Sequence, residues 1–230
     1  MILGALAAAG AAAAGLAHGA FHRNSPLFGR PITRAPGEGR VVALTFDDGP
    51  NPEATPRILD VLAREGVPAT FFVLGRHADR WPALVARVAA EGHALGNHGW
   101  HHRKLHRRSP AFVRTDLELG TASITAAAGR RPTLFRAPHG FRSPWVTPIA
   151  RSLGQATVGW SLGVWDSARP GADAIVGRTV RGVRPGSIVL LHDGDGYDAD
   201  GDRSQTADAL PQIIRALREQ GYRFVALEAP

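Results

Sequence analysis

Val41-Val-Ala-Leu-Thr-Phe-Asp-Asp-Gly-Pro50 sets the reading of the whole chain. Residues 41–46 form a short β-branched and apolar run, the pattern of a buried strand. The run ends abruptly in two adjacent carboxylates and a Gly-Pro turn. Side chains alternate along a strand, so Asp47 and Asp48 are expected to point in different directions. Two carboxylates close together in a cleft repel unless a cation or proton is shared. A metal resolves this, with one Asp as ligand and the other taking protons from water. An Asx turn with Gly49-Pro50 explains the same residues equally well when they are taken alone.

On either side of this run the chain alternates. Further strands are expected over residues 69–74, 94–97, 133–136, 156–162, 187–191 and 222–227. Helices are expected over residues 52–65, 81–90, 111–128, 146–153, 172–183 and 206–220, several closed by Gly. Strands alternating with helices argue for parallel βαβ units. About seven strands suit an open doubly wound sheet or an incomplete β/α barrel. No glycine-rich nucleotide fingerprint follows the first strand.

The 230 residues suffice for one domain with a substantial core, and a hydrophobic fraction of 44% argues against bulk disorder. The formal net charge of +7 favours anionic partners. No aromatic-interleaved basic stripe or helix-turn-helix accompanies it, so no nucleic-acid partner is expected. The absence of Cys excludes disulfides, thiolate metal sites and Cys nucleophiles without choosing a compartment.

Residues 2–17 are uncharged and mostly Ala, Leu and Gly. They resemble the apolar stretch of a signal peptide or short membrane anchor, although no Lys or Arg precedes them. An Ala-rich helix packed on the domain is the other reading. The expectation is a protein exported or anchored facing the cell envelope, with a cytoplasmic location as the alternative. Residues 18–40 carry three turn signals and read as a linker, so the chain divides into an N-terminal segment over 1–40 and a catalytic domain over 41–230.

Five polar clusters fall at or just after expected strand ends: Thr45-Phe-Asp-Asp-Gly-Pro50, Gly96-Asn-His-Gly-Trp-His-His102, Phe135-Arg-Ala-Pro-His-Gly140, Trp160-Ser-Leu-Gly-Val-Trp-Asp166 and Leu190-Leu-His-Asp193. The C-terminal strand ends of a β/α barrel converge on one mouth, where active sites are built. His98 and His102 are four residues apart, and a helical or tightly turned stretch puts both imidazoles on one face. Two His and one carboxylate form a familiar set for catalytic zinc. Arg136 at a strand end can grip a carboxylate with two prongs. His192 in a cleft can act as a general acid. Residues 101–108 read as a basic, solvated loop. Residues 193–202, rich in Asp and Gly, fail the EF-hand pattern and read as a flexible loop near the cleft.

Together, in this order and spacing, the clusters resemble the polysaccharide deacetylases with a NodB-type homology domain, carbohydrate esterase family four. The resemblance runs from about Val41 to the C-terminus and implies an irregular (β/α) barrel. It implies that Asp48, His98 and His102 bind zinc or a similar divalent ion. Asp47 is then the general base, Arg136 its positioning partner and His192 the general acid. The backbone N–H of His139 stabilises the oxyanion, Leu190 lines the acetyl pocket and Asp166 orients His192. The implied partner is an acetylated polysaccharide.

The chain departs from the family pattern at three places. Gly99 stands where Ser or Thr is usual, which puts the rigidity of the metal loop in question. His139 replaces a common Tyr. Asp166 is followed by Ser167 rather than Trp, and Trp165 before it is expected to fill the same wall. Three functions remain: removal of N-acetyl groups from an N-acetylglucosamine-containing glycan, O-deacetylation of a polysaccharide such as xylan, or non-catalytic binding of an envelope glycan. Asp47 and His192 argue against the last, because binding needs neither.

Overall fold

The computed structural model describes residues 2–229. Strand β1, Val41–Asp47, is buried along its whole length. It lies between β2, Thr70–Val73, and β7, Ser187–His192. The sheet continues through β3, Ala94–Asn97, β4, Leu134–Phe135, and β5, Ala156–Thr157, on one side, and β6, Leu162–Gly163, on the other. The order β5-β4-β3-β2-β1-β7-β6 is parallel throughout, and β8, Arg223–Phe224, pairs with the start of β1. Seven parallel strands therefore curl into a half-barrel, the irregular barrel expected from the sequence.

Alternation along β1 divides its side chains between two cores. Val42, Leu44 and Phe46 face the helices and join Ile58, Leu62, Ile213 and Leu217. Phe46 stacks on Phe71 with ring centroids 5.0 Å apart. Val41 and Ala43 face the barrel interior with Phe72, Leu134 and Ile188. Thr45 and Asp47 continue this inner row toward the C-terminal mouth. Burying one such large apolar side chain contributes about 1.5–3 kcal/mol.

The outer helices are α2, Ala54–Glu65, α3, Gly75–Arg80, α4, Pro82–Ala90, α5, Pro110–Ala128, α6, Val146–Ser152, α7, Ala172–Gly182, and α8, Ser204–Glu219. α5 begins where the Ser109 hydroxyl accepts the Phe112 N–H, with Pro110 at the first helical position. The helix expected over 81–90 emerges as α4, and the short α3 before it, not expected from the sequence, is separated from it at Trp81, where Pro82 starts the new helix. The strand expected over 156–162 is split. β5 ends at Thr157, and Ser161 then crosses to donate its N–H to Ile188 O in β7.

The N-terminal apolar run forms α1, Ile2–Phe21, which extends past the expected boundary at 17. No helix among the described residues is long and apolar enough to cross a membrane. The linker reading of residues 18–40 is corrected. Ile32 pairs with Val158 as a bridge at the β5 edge, and Ala35 N–H bonds to Gly186 O. The buried Arg142 guanidinium donates to the carbonyls of Arg23, Ser25 and Gly29. This segment is part of the body of the domain because a buried cation organises its carbonyls.

Candidate metal centre and active-site cleft

Strand register builds the site. Asp47 pairs with His192 across β1 and β7, and Asn97 pairs with Phe135 across β3 and β4. The register runs from Asp47 through Phe72 and Gly96 to Leu134, so His98 and Arg136, one residue beyond their strands, stand two positions further toward the mouth. The mouth opens into a cleft of about 620 Å³ lined by Asp47, Asp48, His98, His102, Leu190 and His192, among others. His139 and Trp165 also line it.

Asp48 lies in the left-handed region at φ 74°. That turn corrects the expectation that strand alternation separates the two carboxylates: both face the cleft. His98 Nε2 stands 3.3 Å from Asp48 Oδ1 and 3.8 Å from Asp47 Oδ2. The stretch carrying the two His is a loop and not a helix, and His102 reaches Asp48 by a positive φ of 56°. Its Nε2 lies 3.1 Å from Asp48 Oδ1. Among the described residues, four of the five non-glycine residues with positive φ, Asp48, His102, His139 and Trp165, line this one cleft. Unfavourable backbone geometry concentrated this way is the mark of a functional site.

The donor set fits a divalent cation. One ligand atom from each of Asp48, His98 and His102 lies within 4.8 Å of the others, and all three residues are buried. His98 Nδ1 is 2.8 Å from Arg136 O. A carbonyl only accepts, so Nδ1 carries the proton and Nε2 presents a lone pair to Asp48. Asp48 Oδ1 is buried with no hydrogen-bond partner among the described residues. Acceptors converging on one buried point call for a cation. Burial acts to raise Asp48, but His102 and His98 hold its carboxyl well below the ordinary range.

Arg136 is fully buried. Its Nη1 donates to Asp47 Oδ1 at 2.7 Å and Thr45 Oγ1 at 2.8 Å, and its Nη2 donates to Gly159 O at 3.0 Å. The two-pronged grip expected from the sequence is thus corrected to a single contact, because the other prong holds a backbone carbonyl. The guanidinium also lies over Phe72, 4.0 Å from the ring centroid.

Across the cleft, Asp166 Oδ1 meets His192 Nδ1 at 2.9 Å, and Asp166 Oδ2 accepts the His192 backbone N–H at 2.7 Å. Burial lowers the imidazole pKa, but Asp166 overcomes it and raises His192 to about 9. The Ser167 departure therefore leaves the Asp166 contact intact. Trp165 stands at the mouth, 73% exposed. His139 turns its Nε2 toward the Tyr197 hydroxyl at 2.9 Å, and burial with His102 and His98 depresses it to about 4.

Gly99 has a structural explanation. It sits at φ 78°, and a Cβ there would lie 2.4 Å from Asp116 Oδ2. Buried Asp116 accepts both the backbone N–H and Nδ1 of His101. The metal loop is tied by Asp116 from outside the pattern rather than by a hydroxyl at residue 99.

Several functional positions escaped sequence reasoning. Asp193 is buried behind Gly49, accepts from Thr55 Oγ1 at 2.6 Å and donates its N–H to Asp47 O. Burial is the main cause that raises it to about 7. Its place beside His192 was its only signal. Residues 193–202 are held, not free: Arg203 donates to Gly194 O and Asp195 Oδ2, and Asn51 to Ala199 O and Gly201 O. A Cβ on Gly196 would meet His102 Nδ1 at 2.0 Å, so this loop packs directly on a proposed ligand. Phe21, His22 and Arg23, from the segment read as a linker, also line the cleft.

A half-barrel whose mouth gathers a carboxylate and two imidazoles that could hold a metal ion, with a second carboxylate and a further imidazole beside them, has the layout of a metal-dependent hydrolase. Residues 34–158 match the family model for polysaccharide deacetylase. A chitooligosaccharide deacetylase of Bradyrhizobium sp. is 43% identical over 194 residues, covering 80% of this chain and 88% of that protein. A peptidoglycan-N-acetylglucosamine deacetylase of Bacillus cereus is 40% identical over 197 residues, covering 84% and 88%. A solved peptidoglycan N-acetylglucosamine deacetylase in complex with 4-naphthalen-1-yl-N-oxidanyl-benzamide is similar with a TM-score of 0.80 and 36% identity, covering 85% of this chain and 90% of that one. The chain belongs to the polysaccharide deacetylase family.

Proposed function

We propose that this protein hydrolyses N-acetyl groups from an N-acetylglucosamine-containing glycan, using zinc held by Asp48, His98 and His102. One observation carries the reading. Two titratable groups in different settings flank the ligand cluster: Asp47, ion-paired with a buried guanidinium, and His192, whose pKa Asp166 raises to about 9. Such pairs divide base from acid. Two imidazoles and one carboxylate suit zinc and leave positions open.

A divalent ion bound there supplies a Lewis acid for the amide carbonyl and a water of lowered pKa. Asp47 accepts the proton of the attacking water, held in place by Arg136. His192 delivers its proton to the departing nitrogen through Nε2, since Nδ1 faces Asp166. The His139 backbone N–H donates to the oxyanion, Leu190 lines the acetyl methyl and Trp165 offers a face at the mouth for sugar. The chain releases acetate and a free amine.

The tuned proton donor favours amide over ester, because an amine leaves only when protonated. The test compares acetate release from N-acetylated oligosaccharides and from acetylated xylan at equal enzyme concentration. Faster release from the amide supports the reading. Release from the ester alone supports O-deacetylation, and none from either, with no bound metal, favours a binding protein.

We further propose export, with α1 as signal or membrane attachment. The helix carries no Asp, Glu, Lys or Arg, and residues 9–14 are exposed. Fractionation of cells expressing the full chain tests this: recovery in the soluble cytoplasm contradicts it.

A further inference from the structure

A second depression, of about 360 Å³, adjoins the cleft. It is lined by His102, Arg103, Lys104, Arg107, Arg108 and Tyr197. His102 and Tyr197 also line the main cleft, so the two spaces share a wall. No acidic side chain lines the depression, and none of its four Lys and Arg residues forms an ion pair among the described residues. Other exposed arginines, such as Arg30, Arg64, Arg131 and Arg151, also lack a carboxylate partner among the described residues, so what sets the depression apart is that four such cations line one space.

The backbone that carries these cations is anchored at several points. Buried Leu105 anchors it in the core with Val113 and Phe135. Leu105 O accepts from Ser143 Oγ, Arg108 O accepts from Trp145 Nε1, and the Arg108 guanidinium lies over Phe112. Four cations without counter-ions repel one another, so the arrangement costs stability in the absence of an anion. Burial, Arg107 and Lys104 all lower His106, in keeping with a positive field across the loop.

We propose that this depression is a subsite for a carboxylate carried by the glycan beside the sugar being deacetylated. The proposal rests on the deacetylase reading above and adds a choice within it: an anionic glycan rather than a neutral one. The shared wall favours a substituent of the substrate over a lipid surface, because a chain running through the cleft past His102 and Tyr197 meets the basic loop directly. Arginine presents a fork that matches a carboxylate, and Lys104 adds a point charge.

The test uses the full chain and two matched probes: chitotetraose, and chitotetraose bearing carboxymethyl groups at C6. The preference for the charged probe in kcat/KM is expected to shrink as salt is raised from 20 to 300 mM on this scale of screening, roughly the Debye regime. In a Lys104→Gln/Arg107→Gln variant that preference is expected to fall about tenfold, mainly through KM, with the neutral probe changed by less than about twofold. Equal loss on both probes, no preference in the wild type, or a variant that loses only binding to anionic lipid vesicles overturns the subsite. Absence of acetate from both probes instead overturns the deacetylase reading itself.

Discussion

Asp166 bonds His192 twice, its Oδ1 to the ring Nδ1 at 2.9 Å and its Oδ2 to the backbone N–H at 2.7 Å. The carboxylate thereby fixes both the tautomer and the charge of the imidazole. In Asp166→Asn the largest upward influence on His192 is lost, so its pKa falls from about 9. An acid that must be protonated then fails at lower pH. The alkaline limb of kcat/KM is expected to move down by at least about one pH unit. Stability follows the same sign. A folded pKa raised above the ordinary 6.5 stabilises fully below pH 6.5, and this is lost as pH rises through about 9. Thermal melts across that window are expected to show the loss in the wild type and not in Asp166→Asn.

Arg136 and Asp47 form a buried ion pair, and removing one partner strands the other. Arg136→Ala is expected to destabilise the protein by about 3–5 kcal/mol, read by denaturant unfolding. Arg136→Ala/Asp47→Ala, which leaves no unpaired charge, is expected to lose less than the sum of the single variants. A strictly additive result contradicts the coupling.

Gly99→Ser restores the residue that is usual in the family, yet it is expected to harm this chain. The new Cβ would meet Asp116 Oδ2 at 2.4 Å on a backbone at φ 78°. A cost of about 1–3 kcal/mol is expected, together with weaker metal binding by calorimetry because His98 and His102 flank the loop. Unchanged stability contradicts the role given to Asp116.

Asp193→Asn keeps an oxygen that can accept from Thr55 while removing a buried carboxylate whose pKa is about 7. A carboxyl with a raised folded pKa destabilises as pH climbs from about 4 to 7, where the unfolded chain ionises first. In metal-free protein the wild type is therefore expected to lose stability across that range relative to Asp193→Asn, measured as the difference in melting temperature.

What was legible in the sequence follows from period and punctuation. β1, α2 and α5 carry unbroken apolar patterns with sharp ends, so they emerge close to their expected bounds. The clusters at strand ends located Asp47, Asp48, His98, Arg136 and His192, because parallel strands deliver their C-terminal ends to one mouth. Hidden features depend on contacts between distant residues. The positive φ at Asp48 that turns both carboxylates into the cleft has no local signature, since Asp is not a residue that demands it. The tie from Asp116 to His101 spans 15 positions. The docking of residues 23–29 rests on buried Arg142, and that of Ile32 and Ala35 on Val158 and Gly186, all more than a hundred positions away. Turn residues alone suggested a linker there because nothing local announces such a partner.

The most direct test is the rate of acetate release from an N-acetylated oligosaccharide, measured while metal-stripped protein is titrated with Zn2+. The rate is expected to rise linearly to one ion per chain and stop. In Asp47→Asn the same ion is expected to bind while the rate stays lower by at least about a hundredfold, the size of a lost general base. A rate independent of occupancy, or full activity in Asp47→Asn, contradicts hydrolysis at this site.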